Sequence, residues 1–191
     1  MFKEKIYKRS NIILTSPHTT YTFREVNGKW VLHKKEKYVE EMLKYLSKKN
    51  KWSFLCYADH FCIDPNFHSI CFKSSEPFFH PFKEKLLRIM EKINLSYLFD
   101  IHGMKDEYGI DICIGTNIDL GKDFLKKMKL ICKGKKITVN YPFSGRKSET
   151  IAKFANALGL KSFQIELSLK FREDKSNWDL LEKVIKALSL R

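Results

Sequence analysis

The sequence lacks any run approaching the roughly 20 apolar residues that a bilayer-spanning helix needs. Its opening, MFKEKIYKRS, has no apolar stretch of the kind a secretory signal carries. A soluble, cytoplasmic chain is expected from these two absences. There is no C-x-x-C pair among the five cysteines, Cys56, Cys62, Cys71, Cys113 and Cys132. Without a secretion signal, an odd number of such cysteines reads as free, mostly buried thiols. Three of them fall near His60, His68 and His80, but the spacings match no usual structural zinc pattern. Internal repeats, low-complexity tracts and long linkers are absent as well. The 191 residues therefore read as one domain, 1–191, long enough to bury a substantial core.

What is present excludes disorder: 43% of residues are hydrophobic and 14% aromatic, with phenylalanine occurring 15 times. Charge is lopsided, with 36 Lys plus Arg against 22 Asp plus Glu, a net +14. A field of that sign attracts nucleic acid or small acidic substrates. The lysines are spread over every expected helix, however, and no helix-turn-helix or RNP signature appears. Solvated helix faces are the favoured reading, with a basic nucleic-acid-binding protein kept as the alternative. The oligomeric state is not legible.

Short β-branched or aromatic runs alternate with longer amphipathic stretches. Strands are expected at 11–16, 52–58, 96–103 (breaking at Gly103), 110–116, 136–140 and 162–169. Helices are expected at 33–48, 82–93, 121–131, 148–158 and 177–189, and a polar loop at 59–78. That alternation argues an α/β domain with a mainly parallel or mixed sheet and helices on both faces. In such sheets, sites form at the carboxyl ends of strands. The residues there are His18, the 59–66 segment, Asp100 with His102, the 140–146 segment, and Glu166.

His18, after Pro17 at the end of the first strand, reads either as a strand-end hydrogen-bonding group or as a first metal ligand. Asp100 and His102, two apart on a strand, share a face. A carboxylate so placed can hold a ligating imidazole's tautomer, although a strand-end Asp beside a solvated His would look the same. Glu166 is an acid inside the apolar strand FQIELS; burying it costs several kcal/mol, about the penalty of any unpaired ion, unless it is paired or metal-linked.

The ordered set SPHTT, FREVNGK, DPN, DIHG, IDICIGT, VNYPFSG and FQIELS, spread over residues 13–172, resembles the N-formylglutamate amidohydrolase family. That family is related in fold to the zinc carboxypeptidases and to the aspartoacylase and succinylglutamate desuccinylase deacylases. The resemblance implies a zinc-carboxypeptidase-like (phosphorylase/hydrolase-like) fold and one Zn²⁺ per chain held by His18, Glu25 and His102, with Asp100 behind His102. Two histidines and a carboxylate leave a fourth position for water. Glu166 would be the general base and then acid of a metal-dependent amidohydrolase. Asn66, Asn140, Arg146 and Arg24 would bind a small acidic N-acyl substrate. Two features depart from the family: Thr19-Thr20 follow the first histidine, and Phe67 stands where related deacylases carry an arginine after the Asn. Arg146 or Arg24 is expected to supply that charge, since a guanidinium pairs with a carboxylate in two-pronged fashion. A relative that keeps the metal site but has lost turnover would read the same way.

Overall fold

The strings IILTS and SFLCY are buried at every position, without the alternation of a half-exposed strand. Strands of that kind belong to a sheet covered on both faces. In the computed structural model, which describes residues 2–58, 62–66, 80–144 and 150–190, they are β2 (Ile12–Ser16) and β5 (Ser53–Tyr57). The other strands are β1 (Phe2–Lys5), β3 (Thr22–Val26), β4 (Lys29–His33), β6 (Cys62–Ile63), β7 (Tyr97–Met104), β8 (Ile112–Gly115), β9 (Ile137–Val139) and β10 (Lys161–Ser168). The helices are α1 (Val39–Asn50), α2 (Pro81–Met90), α3 (Lys122–Ile131), α4 (Ile151–Ala157), α5 (Leu169–Glu173) and α6 (Ser176–Leu188).

Seven strands form the main sheet in the order β1-β5-β2-β7-β10-β8-β9. The central β5, β2, β7 and β10 run parallel, whereas β1 pairs antiparallel with β5 and β8 antiparallel with β10; β9 runs parallel to β8. The result is a mixed α/β sheet. Adjacent residues of β2 show why both faces are closed: Leu14 joins a core with Leu43, Leu46, Phe99, Phe163 and Trp178, and Ile13 joins another with Leu55, Phe82, Leu86 and Ile151. Helices α1, α3 and α6 cover the first face, α2 and α4 the second. No helix among the described residues is long and apolar enough to cross a membrane. Cys56, Cys113 and Cys132 are free and buried; Cys71, His60 and His68 lie outside the described residues.

The chain leaves β2 through α1 toward β5 on one side, then returns through α2 to β7 on the other side. The strand order therefore reverses between β2 and β7, the position at which open α/β sheets bind ligands. A smaller sheet, β4-β3-β6, stands beside this point.

Three expectations need correction. The segment 33–48 is not one helix: His33 ends β4 and α1 starts only at Val39. Asn27 and Gly28 both have positive φ (51° and 75°), the two-residue turn that favours Asn-Gly and folds β3 onto β4. Strand β7 does not break at Gly103 but runs on to Met104, because its ladder with β10 continues through Gly103 opposite Leu167. Finally, β1, β3, β4, β6 and α5 were not expected. FKEK carries no apolar alternation, and it pairs as a charged edge strand on β5.

Candidate metal centre

His18 lies two residues beyond β2, and its loop is tied down locally. The Thr19 hydroxyl donates to the Tyr57 carbonyl (2.9 Å), and the Glu36 amide donates to the His18 carbonyl (2.9 Å). Strand β7 carries Asp100 and His102 on one face, at the edge of the same opening. The segment between β4 and α1 delivers Glu36, whose Oε2 accepts the Gly103 amide at 2.8 Å. The side chains of His18, Glu36, Asp100 and His102 are all buried.

The donor atoms converge. His18 Nδ1 is 3.0 Å from His102 Nδ1 and 3.0 Å from Glu36 Oε1, and His102 Nδ1 is 3.8 Å from Glu36 Oε2. Donors at about 2.0–2.1 Å from one ion cannot lie more than ~4.2 Å apart, and these pairs satisfy that limit. The far nitrogen of each ring is held by an aspartate: His18 Nε2 by Asp64 Oδ2 (2.9 Å), His102 Nε2 by Asp100 Oδ2 (2.7 Å). A carboxylate can only accept, so each Nε2 carries a proton; in a neutral ring each Nδ1 would turn a lone pair toward the other, and the Glu36 carboxylate beside His18 Nδ1 calls for a proton or a cation there. Asp100 is fixed in turn by the Thr15 hydroxyl (2.7 Å), and Asp64 Oδ1 accepts the Asn66 amide (3.0 Å). Two lone pairs facing each other at 3.0 Å repel unless a proton or a cation lies between them. Among the described residues, His18, Glu36 and His102 form a group able to hold a metal ion. The residues present fit Zn²⁺.

Electrostatics agree. Burial alone would lower the His18 pKa, but the Asp64 and Glu36 carboxylates outweigh it and raise the pKa to about 9. His102 is likewise raised well above its ordinary value, against burial, by Asp100 and Glu36. Burial pushes Glu36 upward, and the two imidazoles more than reverse this, lowering it to about 2. The metal-free chain holds protons where the carboxylates call for positive charge.

Glu166 sits on β10 directly across from His102 and is 6 % exposed. Burial raises its pKa to about 7, with the His102 charge opposing. Gln164, on the same face of β10, donates Nε2 to Glu166 Oε1 at 2.7 Å. Its own Oε1 is buried with no hydrogen-bond partner among the described residues. A cavity of about 330 Å³ opens over this group. Arg24, His33, Lys105, Tyr108 and Phe143 contribute to its walls.

The structure thus brings His18, His102, Asp100, Glu166, Asn66 and Arg24 to one cavity or its immediate wall. Asn66 accepts the Ile151 amide at 2.8 Å, and its Nδ2 lies 3.5 Å from His102 Nε2. Arg24 Nε approaches Asp64 Oδ2 at 3.9 Å. Glu25 is not brought in: it is exposed on β3, opposite Trp30, because successive strand residues face opposite sides and Arg24 takes the inward position. The carboxylate at the cluster is Glu36 instead. Asn140 also stays apart, its Oδ1 accepting the Thr116 amide at 2.8 Å in the turn after β9. Arg146 lies outside the described residues. Sequence reasoning passed over Glu36, Asp64 and His33. Asp64 stands within the DPN motif and could have been read from it. Glu36, in HKKEK, resembles any acid on a lysine-rich surface, and only the fold shows it to be 8 % exposed.

No protein-family model matches the chain, and no curated protein does. Solved structures share its fold. Gene product Atu2144 from Agrobacterium tumefaciens superposes with a TM-score of 0.62 at 13% identity, covering 98% of this chain and 93% of that one. YNDL in its apo, zinc-free form gives 0.58 at 17% identity, covering 100% and 90%. A bacteriophage poly-gamma-glutamate hydrolase gives 0.52 at 18% identity, covering 98% and 86%.

Proposed function

We propose that this chain is a metal-dependent amide hydrolase of the zinc-carboxypeptidase-like kind, related to the N-formylglutamate amidohydrolases and acting on a small N-acyl amino acid or peptide-like substrate that bears a carboxylate. The observation that carries this reading is the opposition of two Nδ1 atoms at 3.0 Å beside Glu36, each imidazole backed by its own aspartate. His18, Glu36 and His102 would hold one Zn²⁺, which when bound acidifies a water and polarises an amide carbonyl. The likeness in fold to a poly-gamma-glutamate hydrolase and to a protein described in a zinc-free form supports the same reading.

The chain's own residues divide the remaining work. Glu166, buried and raised to about 7, takes a proton from the attacking water and returns it to the leaving nitrogen. The Gln164 amide fixes one Glu166 oxygen, which orients the carboxylate for that exchange. Arg24 and Lys105 on the cavity wall, with Arg146 beyond the described residues, supply positive charge for the substrate carboxylate, and Asn66 offers an amide beside it. His18, Glu36, His102 and Glu166 at the cavity floor are buried, which strengthens the interactions among them.

The test is hydrolysis of a panel of N-formyl and N-acyl amino acids and γ-glutamyl peptides, with chelated protein and with zinc restored. Zinc-dependent release of free amine from acidic members supports the reading. Equal turnover of chelated and zinc-loaded protein would contradict it.

A further inference from the structure

Arg172 is an arginine at 5 % exposure, in the five-residue helix α5 just past β10. Its guanidinium is spent on backbone. Nε donates to the carbonyls of Leu167 (3.1 Å) and Ser168 (3.3 Å), and Nη1 donates to the carbonyl of Lys37. The guanidinium also lies flat against β7 at Gly103: a Cβ there would come within 2.6 Å of Cζ and 2.7 Å of Nη2. A Cβ there would have to displace the guanidinium, so the close approach favours glycine, whose φ is ordinary. Burying such a charge without a hydrogen-bonded carboxylate carries the desolvation penalty of an ion, so the position calls for a reason.

The reason lies one residue from Lys37. Glu36 reaches the site from a segment outside helix and strand, between β4 and α1. Three bonds fix that segment: the Glu36 amide to the His18 carbonyl, Glu36 Oε2 to the Gly103 amide, and the Lys37 carbonyl to Arg172. Two of the three meet at the Gly103–Arg172 contact. At the next residue, Tyr38 takes φ 67° and donates its hydroxyl to Glu173 Oε1 at 3.2 Å, so α5 grips the segment twice.

We propose that Arg172 is a positioning residue for the metal centre, acting through Glu36: it clamps the Lys37 carbonyl to the end of β10 and so sets the Glu36 carboxylate against the two Nδ1 atoms. The inference rests on the metal reading above and deepens it. Removing the clamp frees the segment while His18, His102 and their aspartates stay in place. Metal affinity then falls because one ligand of three must be re-ordered at each binding event.

A double-mutant cycle on the full chain tests this, with zinc affinity read by competition against a chromogenic chelator and folding of the metal-free proteins by circular dichroism. Arg172→Met is expected to weaken zinc about 10–100-fold, the range for residues that orient ligands. In a Glu36→Gln background, the same substitution is expected to change the residual affinity less than about twofold, because the two positions act as one unit. Equal losses in both backgrounds, or no loss in the parent, would overturn the inference while leaving the metal reading intact. A parent chain that takes up no zinc would overturn both. Should Arg172→Met fail to fold, Arg172→Lys replaces it in the cycle. That side chain keeps the charge but cannot span the Leu167 and Lys37 carbonyls together, and parent-like affinity there would overturn the clamp.

Discussion

The Nδ1 atoms of His18 and His102 face each other at 3.0 Å, while Asp64 and Asp100 hold the opposite nitrogen of each ring. Neither histidine could turn this nitrogen inward without losing its aspartate. The pairing fixes the orientation of both rings before any ion arrives, and the outer carboxylates raise the basicity of the ligating nitrogens. It follows that Asp64→Asn and Asp100→Asn should each weaken zinc binding about 10–100-fold without abolishing it, measured by chelator competition. Parent affinity in both variants would mean that the aspartates only satisfy buried hydrogen bonds.

Glu36 and Glu25 give a paired test of the ligand set. Glu36→Gln removes a buried carboxylate at the cluster and should cost more zinc affinity than loss of either aspartate. Glu25→Gln changes an exposed strand residue and should cost nothing measurable. The reverse result would return the third ligand to the β3–β4 hairpin.

The metal-free protein should lose stability as pH rises. His18 is raised from 6.5 to about 9, so the stabilisation it contributes is complete below pH 6.5 and is lost as pH climbs through 9. Glu166, raised from 4.5 to about 7, adds a penalty that grows over that interval and stays above it. Glu36, lowered to about 2, is ionised in both states above pH 4.5 and leaves the trend unchanged. Thermal melts of chelated protein should show a Tm falling from pH 6.5 to 9. Zinc affinity should strengthen over the same range, because binding displaces protons from the histidines. A flat or rising Tm for the chelated chain would contradict this charge balance.

Glu166→Gln separates proton transfer from metal holding. The amide keeps the shape beside His102 but cannot accept the proton, so kcat should fall by a factor of about 100 or more while zinc content stays at the parent level. Loss of zinc would make Glu166 a ligand. Parent-like kcat would make it structural.

Much of this was legible in the sequence because strands and strand ends carry local signals. The runs that became β2, β5, β7 and β10 stand out as short apolar stretches, and His18, His102, Asp100 and Glu166 are placed by those strands alone. Glu36 and Arg172 were not legible, since each owes its burial to segments distant in the chain. Glu36 meets Gly103 across 67 positions, and Arg172 meets Lys37 across 135. Nothing within HKKEK or KFRED distinguishes these charges from their exposed neighbours. The hairpin was different: Asn27-Gly28 is a strong turn signal, and reading it would have moved the start of α1 past His33 and drawn the eye to the segment that carries Glu36.

The most direct measurement is the zinc stoichiometry of the purified, chelated and reconstituted chain, taken beside His18→Ala and His102→Ala. The account predicts about one zinc per chain for the parent, as for a mononuclear site, and near-complete loss in each variant. A parent that binds no divalent metal after reconstitution, or histidine variants that bind it as the parent does, would contradict the metal centre and the hydrolytic chemistry built on it.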